Sequence, residues 1–284
     1  MATLYLIATP IGNLEDITIR ALRILKEVPC IAAEDTRRTR QLLTHYEIHP
    51  TLISFHEHNK TEKIPVLLAK LTAGDLALVS DAGTPVINDP GYELVLAAIN
   101  AGHRIVPIPG ASAPISALIT SGLPPDSFLY LGYIPRKAAA RKRKLEEISP
   151  YPFTMIFLET PQRLLTTLKS MLAILGDRRI AVARELTKLH EEIYRGTISQ
   201  AMAHFSSQTV RGEITLVVSG ASAHLTRQKW EQPALLHALS EALAAGSKPA
   251  DIARQLARKS GWERREIYDL LTEIQNHSIT EKSE

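Results

Sequence analysis

A chain of 284 residues, 45% of them apolar, is long enough to bury a sizeable core, and its single cysteine excludes a disulfide framework and fits a reducing cytoplasm. No apolar run is long enough to cross a bilayer. The net charge of +3 is too small to name a class of partner by itself.

Met1 to Thr9 is apolar with no basic segment ahead of it, which reads as a first strand and not as a signal peptide. The strand, Thr3 to Thr9, ends in Thr9-Pro-Ile-Gly-Asn13. Asp16 then stands where an N-cap is wanted, and Ile17, Ala21, Ile24, Leu25 and Val28 follow at helical spacing. Cys30 to Ala33 reads as a second strand in which Cys30 is a packing residue. It ends in Glu34-Asp-Thr-Arg-Arg38, and a helix from about Thr36 to Tyr46 turns Leu42 and Leu43 inward. Leu52 to Phe55 is a third short strand, followed by His56-Glu-His-Asn59 and another helix.

Leu76 to Val79 has no polar face, as in a buried strand, and leads into Ser80-Asp-Ala-Gly-Thr-Pro-Val-Ile-Asn-Asp-Pro-Gly91. From Tyr92 to Ala101, Leu94, Val95, Ala98 and Ile99 fall on one helical stripe. A turn that only joins strand to helix needs one Gly or Pro, and this one has four. Ligands of open α/β sheets bind beyond the carboxyl ends of the strands, so a small molecule is expected at this turn. Arg104 to Ile108 is the next strand, and Pro109-Gly-Ala-Ser-Ala-Pro114 opens a helix to Ser121.

Gly122-Leu-Pro-Pro125 reads as a linker, giving an N-terminal α/β domain at 1–121, a second α/β domain at 122–225 and a helical segment at 232–284. In the second domain, Phe128 to Leu131, Phe153 to Leu158, Arg179 to Ala183 and Ile214 to Val218 read as strands. Helical patterns lie at Ala138 to Ile148, Gln162 to Leu175 and Ser199 to Phe205. The last segment carries Ile252, Leu256, Ile267, Leu270 and Leu271 as its apolar set. It resembles a helix-turn-helix, from Lys248 to Ala257 and from Trp262 to Ile274 with Gly261 at the turn; RNA docking and simple packing on the core stay open. Two basic clusters tilt the reading toward nucleic acid: Arg136, Lys137, Arg141, Lys142, Arg143 and Lys144, and then Lys248, Arg254, Arg258, Lys259, Arg264 and Arg265.

Three signatures are missing: G-x-G-x-x-G after the first strand, the P-loop, and G-x-S-x-G. The strand-end loops Thr9-Pro-Ile-Gly12, Asp81-Ala-Gly-Thr-Pro85 and Pro109-Gly-Ala-Ser-Ala113 are small and nearly uncharged. They suit a flat heteroaromatic ligand held by backbone groups, not a triphosphate.

Taken together, TPIGNLEDIT, AAEDTRRTRQLL, ISFHEHN, LVSDAGTPVINDPG, VPIPGASA, FLETPQRL and ARELTKLHEEIYRGT resemble the bacterial small-subunit ribosomal RNA methyltransferase I family, a branch of the tetrapyrrole-methylase-like fold. The resemblance runs from about Thr3 to Gly220. It implies two α/β domains with S-adenosylmethionine (S-adenosyl-L-methionine) between them, and a homodimer that methylates a cytidine ribose 2′-hydroxyl in the decoding region of small-subunit (16S) ribosomal RNA. The assembled 30S subunit is the expected substrate, because a 2′-hydroxyl offers little sequence information by itself. Carried over by position, it implies cofactor contacts at Pro10, Asp81, Gly83, Thr84, Ser112 and Ala113, with Leu158, Ala183 and Ile214 as wall residues. Arg37 and Arg38 are expected on RNA phosphates, as is the run from Arg136 to Lys144.

A sulfonium methyl is already activated, so much of the catalysis is positioning, but a ribose hydroxyl must still lose its proton. His56, His58, Glu34, Asp35 and Glu185 all lie beside strand ends as candidate bases, and spacing does not choose among them. His56 and His58 have no clear third ligand nearby, so no metal is expected. Two other readings stay open: a corrin-precursor methyltransferase of the same fold, and a non-catalytic RNA-binding factor that binds S-adenosylmethionine.

Overall fold

The computed structural model describes residues 1–221, 230–244, 249–260, 262 and 264–280. They fall into two compact units, one of residues 1–148 with 153–219, the other of residues 149–152 with those from 220 onward.

The first unit contains two five-stranded sheets. One is wholly parallel, built from β1 (Thr3–Ile7), β2 (Cys30–Ala33), β3 (Thr51–Ser54), β4 (Leu76–Val79) and β5 (Arg104–Ile108) in the order β3-β2-β4-β1-β5. Its central strands β2 and β4 are Cys-Ile-Ala-Ala and Leu-Ala-Leu-Val, buried at every position, because helices cover both faces. Helices α1 (Ile19–Glu27) and α2 (Thr36–His45) pack on one face with Ile7, Ile31 and Ala77. Helices α3 (Lys60–Ala73) and α4 (Tyr92–Asn100) pack on the other with Leu4, Ala32 and Leu78. The crossovers that leave the neighbouring strands β1 and β4 thus go to opposite faces. A crevice must open between their carboxyl ends, which is the switch point of such a sheet.

Helix α5 (Ala113–Ser121) leaves the first sheet and lays Ala117 and Leu118 against Ile156, Ala181 and Val217 of the second. That sheet consists of β6 (Phe128–Tyr133), β7 (Thr154–Glu159), β8 (Arg179–Arg184), β9 (Glu192–Thr197) and β10 (Ile214–Val218), ordered β6-β7-β10-β8-β9. Only the β6–β7 pair is parallel. Its far face is covered by α6 (Ala138–Ile148), α7 (Leu164–Leu175) and α8 (Ile198–Ser206) around Phe157, Leu168, Phe205 and Leu216.

Two local expectations change. Asp16 does not cap α1: it lies in a short 3-10 turn capped by Asn13, and Thr18 accepts the hydrogen bond from the Ala21 amide at 3.1 Å. Strand β9 was not foreseen. It is a half-buried edge strand whose composition, Glu-Ile-Tyr-Arg-Gly-Thr, has no continuous apolar face to mark it.

The second unit holds α9 (Gln232–Ala244), α10 (Pro249–Ser260) and α11 (Arg264–Thr280) around Leu235, Leu239, Ile252, Leu256, Ile267 and Leu271. Trp262 donates its indole N–H to the Trp230 carbonyl at 2.7 Å, tying the entry of α9 to the α10–α11 connection. Lys248 and Gly261, named above for the first helix and the turn, lie outside the described residues, as do residues 281–284. Among the described residues no helix is long and apolar enough to cross a membrane.

Candidate active site

The crevice at the switch point is a cleft of about 290 Å³ between the strand ends of the two sheets, close to the lower size of pockets that hold a cofactor-sized ligand. Its floor is knitted from three loops. Thr9 and Gly83 exchange both backbone hydrogen bonds at 2.9 Å, and the Thr84 hydroxyl donates to the Ala111 carbonyl at 3.3 Å. Gly83 has φ +78°, a conformation an L side chain resists, and this lets the backbone turn under the cleft. Ser112 is the N-cap residue of α5 but makes no side-chain capping bond, so its hydroxyl stays available on the lining.

Seven of the nine expected cofactor residues line this cleft: Asp81, Gly83, Thr84, Ser112, Ala113, Leu158 and Ile214. Two do not. Ala183 is buried in the core between α5 and the second sheet, and Pro10 is off the lining while its neighbour Ile11 is on it.

Asp81 is the hinge of the arrangement. One carboxylate oxygen accepts from the Asp35 amide at 2.9 Å and the other lies 3.5 Å from the Arg38 guanidinium. The start of α2 is thereby fixed against the end of β4. Asp35 itself caps α2 by accepting from the Arg37 amide at 2.9 Å, and the Arg37 side chain folds back on it at 3.1 and 2.8 Å. Those hydrogen bonds hold the Asp35 carboxyl far below its ordinary range, so it is a poor proton acceptor. Arg37 remains largely exposed.

The other candidate bases separate in the same way. Glu34 lines the cleft, and burial, reinforced by the nearby Asp81 charge, raises its proton affinity. Glu185 lies off the lining in a turn at φ +51°, where the Lys188 ammonium at 2.8 Å and the Glu213 amide at 3.0 Å hold its carboxylate ionised. His56 and His58 follow β3, their rings 6.0 Å apart edge to face and off the lining, and the buried Nδ1 of His56 has no hydrogen-bond partner among the described residues. Among the described residues no three His, Cys, Asp or Glu side chains are placed to hold a metal ion.

Two cleft features were not singled out from the sequence. The first is Asp89, half-buried on the lining, where burial and the Glu34 and Asp81 charges push its carboxyl up to about 6. The second is the pair Tyr130 and Tyr133 on β6. A register shift in the β6–β7 pairing falls between them at Gly132, whose φ of +59° turns the strand, and the Asn88 side chain seats against that glycine. Burial lifts the Tyr130 hydroxyl to about 12, whereas Tyr133 stands 55% exposed at the mouth.

The charged residues on the lining are Glu34, Asp81, Asp89, Glu159 and Glu213 against Arg38 alone. Such a cleft favours a cationic or neutral ligand and repels polyphosphate. Outside it, the basic run divides. Arg141 is buried and spends its guanidinium on the Ser170 hydroxyl at 3.0 Å and the Arg136 carbonyl at 3.1 Å, so it is a structural residue and not a phosphate contact. Lys142 and Lys144 pair with Glu146 and Glu147. Arg136, Lys137 and Arg143 are exposed and pair with no carboxylate among the described residues.

Residues 3–202 match the family model for tetrapyrrole (corrin/porphyrin) methylases. A ribosomal RNA small subunit methyltransferase I from Halalkalibacterium halodurans is 46% identical over 94% of each chain, and one from Synechocystis is 46% identical over 97% of this chain and 99% of its own. The chain belongs to the tetrapyrrole methylases, and within them to the ribosomal RNA small subunit methyltransferase I family. Among solved structures, diphthine synthase superposes with a TM-score of 0.60 at 12% identity, covering 78% of this chain and 91% of that one. A uroporphyrin-III C-methyltransferase from Thermus thermophilus, complexed with S-adenosylhomocysteine, does so at 0.54 and 19% identity, covering 78% and 98%. These likenesses establish the shared fold.

Enzymes of this family are S-adenosylmethionine-dependent methyltransferases, and this chain is one of them. The donor set fits that cofactor. Carboxylates suit a sulfonium and an ammonium, small loop residues allow close backbone approach, and Leu158, Ile214 and Ile87 offer an apolar wall for a heteroaromatic ring.

Proposed function

We propose that this chain, as a homodimer in the cytoplasm, methylates the ribose 2′-hydroxyl of a cytidine in the decoding region of small-subunit (16S) ribosomal RNA, acting on the assembled 30S subunit. The observation that carries the reading is the division of charge: an acidic cleft for a cationic methyl donor, with Arg136, Lys137 and Arg143, unpaired among the described residues, three to ten residues beyond the exposed Tyr133 of its mouth. An exposed aromatic followed closely in sequence by such cations suits a nucleotide, the ring taking a base and the cations its phosphates. The relatives' names point to the same substrate.

Asp81, Gly83, Thr84, Ser112, Ala113, Leu158 and Ile214 would hold S-adenosylmethionine, which supplies an activated methyl group when bound. The protein's own work is to fix the hydroxyl in line with that group and to keep water out. For the homodimer, support comes from α4 and α5, which leave Tyr92, Leu96, Ile99, Ile115 and Ile119 exposed, an apolar set suited to a second copy.

The test supplies purified protein with radiolabelled S-adenosylmethionine and small subunits lacking the modification, then digests the RNA to nucleosides. Label in 2′-O-methylcytidine is the expected result. Label in a base-methylated nucleoside overturns the ribose chemistry, and no label overturns the RNA substrate. Sedimentation of the same preparation as a monomer would remove the dimer. Changing Arg136, Lys137 and Arg143 together to Ala is expected to weaken RNA binding and flatten its log–log salt dependence by about 2 to 3. Arg141→Ala should leave that slope alone and lower stability instead, since it orphans the Ser170 and Arg136 contacts.

A further inference from the structure

We propose that Asp89 is the catalytic base, taking the proton from the ribose 2′-hydroxyl as the methyl group is transferred; this rests on the ribose-methylation reading above. The position of Asp89 is constructed with care. It lies in the loop between β4 and α4, where Val86 and Asn88 adopt φ +76° and +65°. For a β-branched residue such as Val86 that is an outlier, and such strain persists only where the surroundings impose it. Here the surroundings are across the cleft, because Asn88 seats against Gly132 at the β6 irregularity, where an added Cβ would lie 2.7 Å from its amide nitrogen. The loop is thus pinned from the second sheet one residue before Asp89.

The remaining carboxylates of the cleft are already engaged. Asp81 holds the Asp35 amide and faces Arg38. Glu159 accepts from the Thr160 amide at 2.8 Å and the Thr167 hydroxyl at 2.6 Å, with Arg163 at 3.4 Å. Glu213 pairs with Lys188 at 3.2 Å. Glu34 is raised by burial and by the Asp81 charge, but it has Arg38 and His56 close enough to offset part of that rise. Asp89 pairs with no cation among the described residues, and the nearby Ser80 hydroxyl is directed to the Ala82 and Gly83 carbonyls at 3.4 and 3.5 Å.

Glu34 from the end of β2, Asp81 from the end of β4 and Tyr130 and Tyr133 from β6 lie close enough to act on it, and the cleft they share also holds Glu159 and Glu213, with Arg38 of α2 the one cation on the lining among the described residues. An unneutralised carboxylate among acids and phenols, partly shielded from water, has the proton affinity an acceptor needs near neutral pH. In the step, the O–H bond breaks toward Asp89 and the oxygen's electron pair forms the O–CH₃ bond. The S–CH₃ bond breaks with its pair left on sulfur, and the proton passes from Asp89 to solvent.

The experiment compares the native protein with Asp89→Asn and Asp89→Glu in three ways. Calorimetry with S-adenosylhomocysteine should give unchanged binding for Asp89→Asn. Its single-turnover methylation of small subunits should fall about 100-fold or more, and Asp89→Glu should restore part of that loss. The native rate should rise with pH through about 6, and that limb should be missing in Asp89→Asn. Independently of turnover, carbon-13 NMR of labelled Asp carboxyls in the resting protein should show one group titrating near 6 that disappears in the variant. Retention of the native rate by Asp89→Asn, or titration of Asp89 in the ordinary carboxylate range, overturns the assignment. Failure of the native protein to label any RNA would overturn the ribose-methylation reading, and the NMR titration would still report on Asp89.

Discussion

Arg163→Ala is expected to lower the unfolding free energy of the first unit by about 3 to 5 kcal/mol, read as a shift of the urea midpoint with little change in slope. Glu159, at the end of β7, has a side chain with no solvent exposure. Its carboxylate is stabilised by the Thr160 amide, the Thr167 hydroxyl and the Arg163 guanidinium, and that guanidinium also donates to the Ile134 carbonyl at 2.5 Å. Truncating Arg163 leaves a buried anion without its countercharge and a carbonyl without its donor. Both penalties act on one turn, where β7 passes through Pro161–Arg163 into α7. The paired change Glu159→Gln with Arg163→Met removes the charge together with its partner and should recover most of the loss. If the single and paired variants unfold alike, the ion pair is not what stabilises this turn.

Asp81→Ala should weaken binding of S-adenosylhomocysteine about 10- to 100-fold by calorimetry, the equivalent of about 1.4 to 2.7 kcal/mol. The cleft loses an acceptor, the Asp35 amide loses its partner, and the Arg38 guanidinium faces the site without its anion. Asp81→Asn keeps an oxygen for the Asp35 amide and loses only charge, so it should lie between Ala and the native residue. Equal losses in both variants would mean that charge toward the ligand, and not the seating of α2, is the role of Asp81. Unchanged affinity in Asp81→Ala would remove Asp81 from the site.

The parallel sheet was legible because its strands are short and separated by helices with clear stripes, and because its interior strands β2 and β4 are wholly apolar and lie where those runs of sequence place them. The three cleft loops were legible for a similar reason, since Gly and Pro concentrate where a chain must turn tightly beneath a ligand. What escaped depended on partners distant in sequence. Asp89 sits in a quoted motif, yet its place on the lining follows from a loop pinned by Gly132, more than forty residues on. Strand β9 takes its hydrogen bonds from β8 and buries little of its own surface. Arg141 was read as one of six like cations. Its spacing from Leu145 and Ile148 puts all three on the inward stripe of α6, a signal that the charge run concealed.

The strand order also governs how this protein emerges from a ribosome. In the second sheet the middle strand, β10, is the last one synthesised. The pair β6–β7 and the pair β8–β9 can each form early, but two apolar edges stay open until residue 218 has appeared. At about 5–20 residues per second, β7 waits several seconds for its neighbour. The nascent chain is most exposed to aggregation and most in need of a chaperone during that interval. Gly212, Glu213, Ile214 and Thr215 belong both to the closing segment and to the cleft wall, so the cleft is completed only when the sheet is sealed.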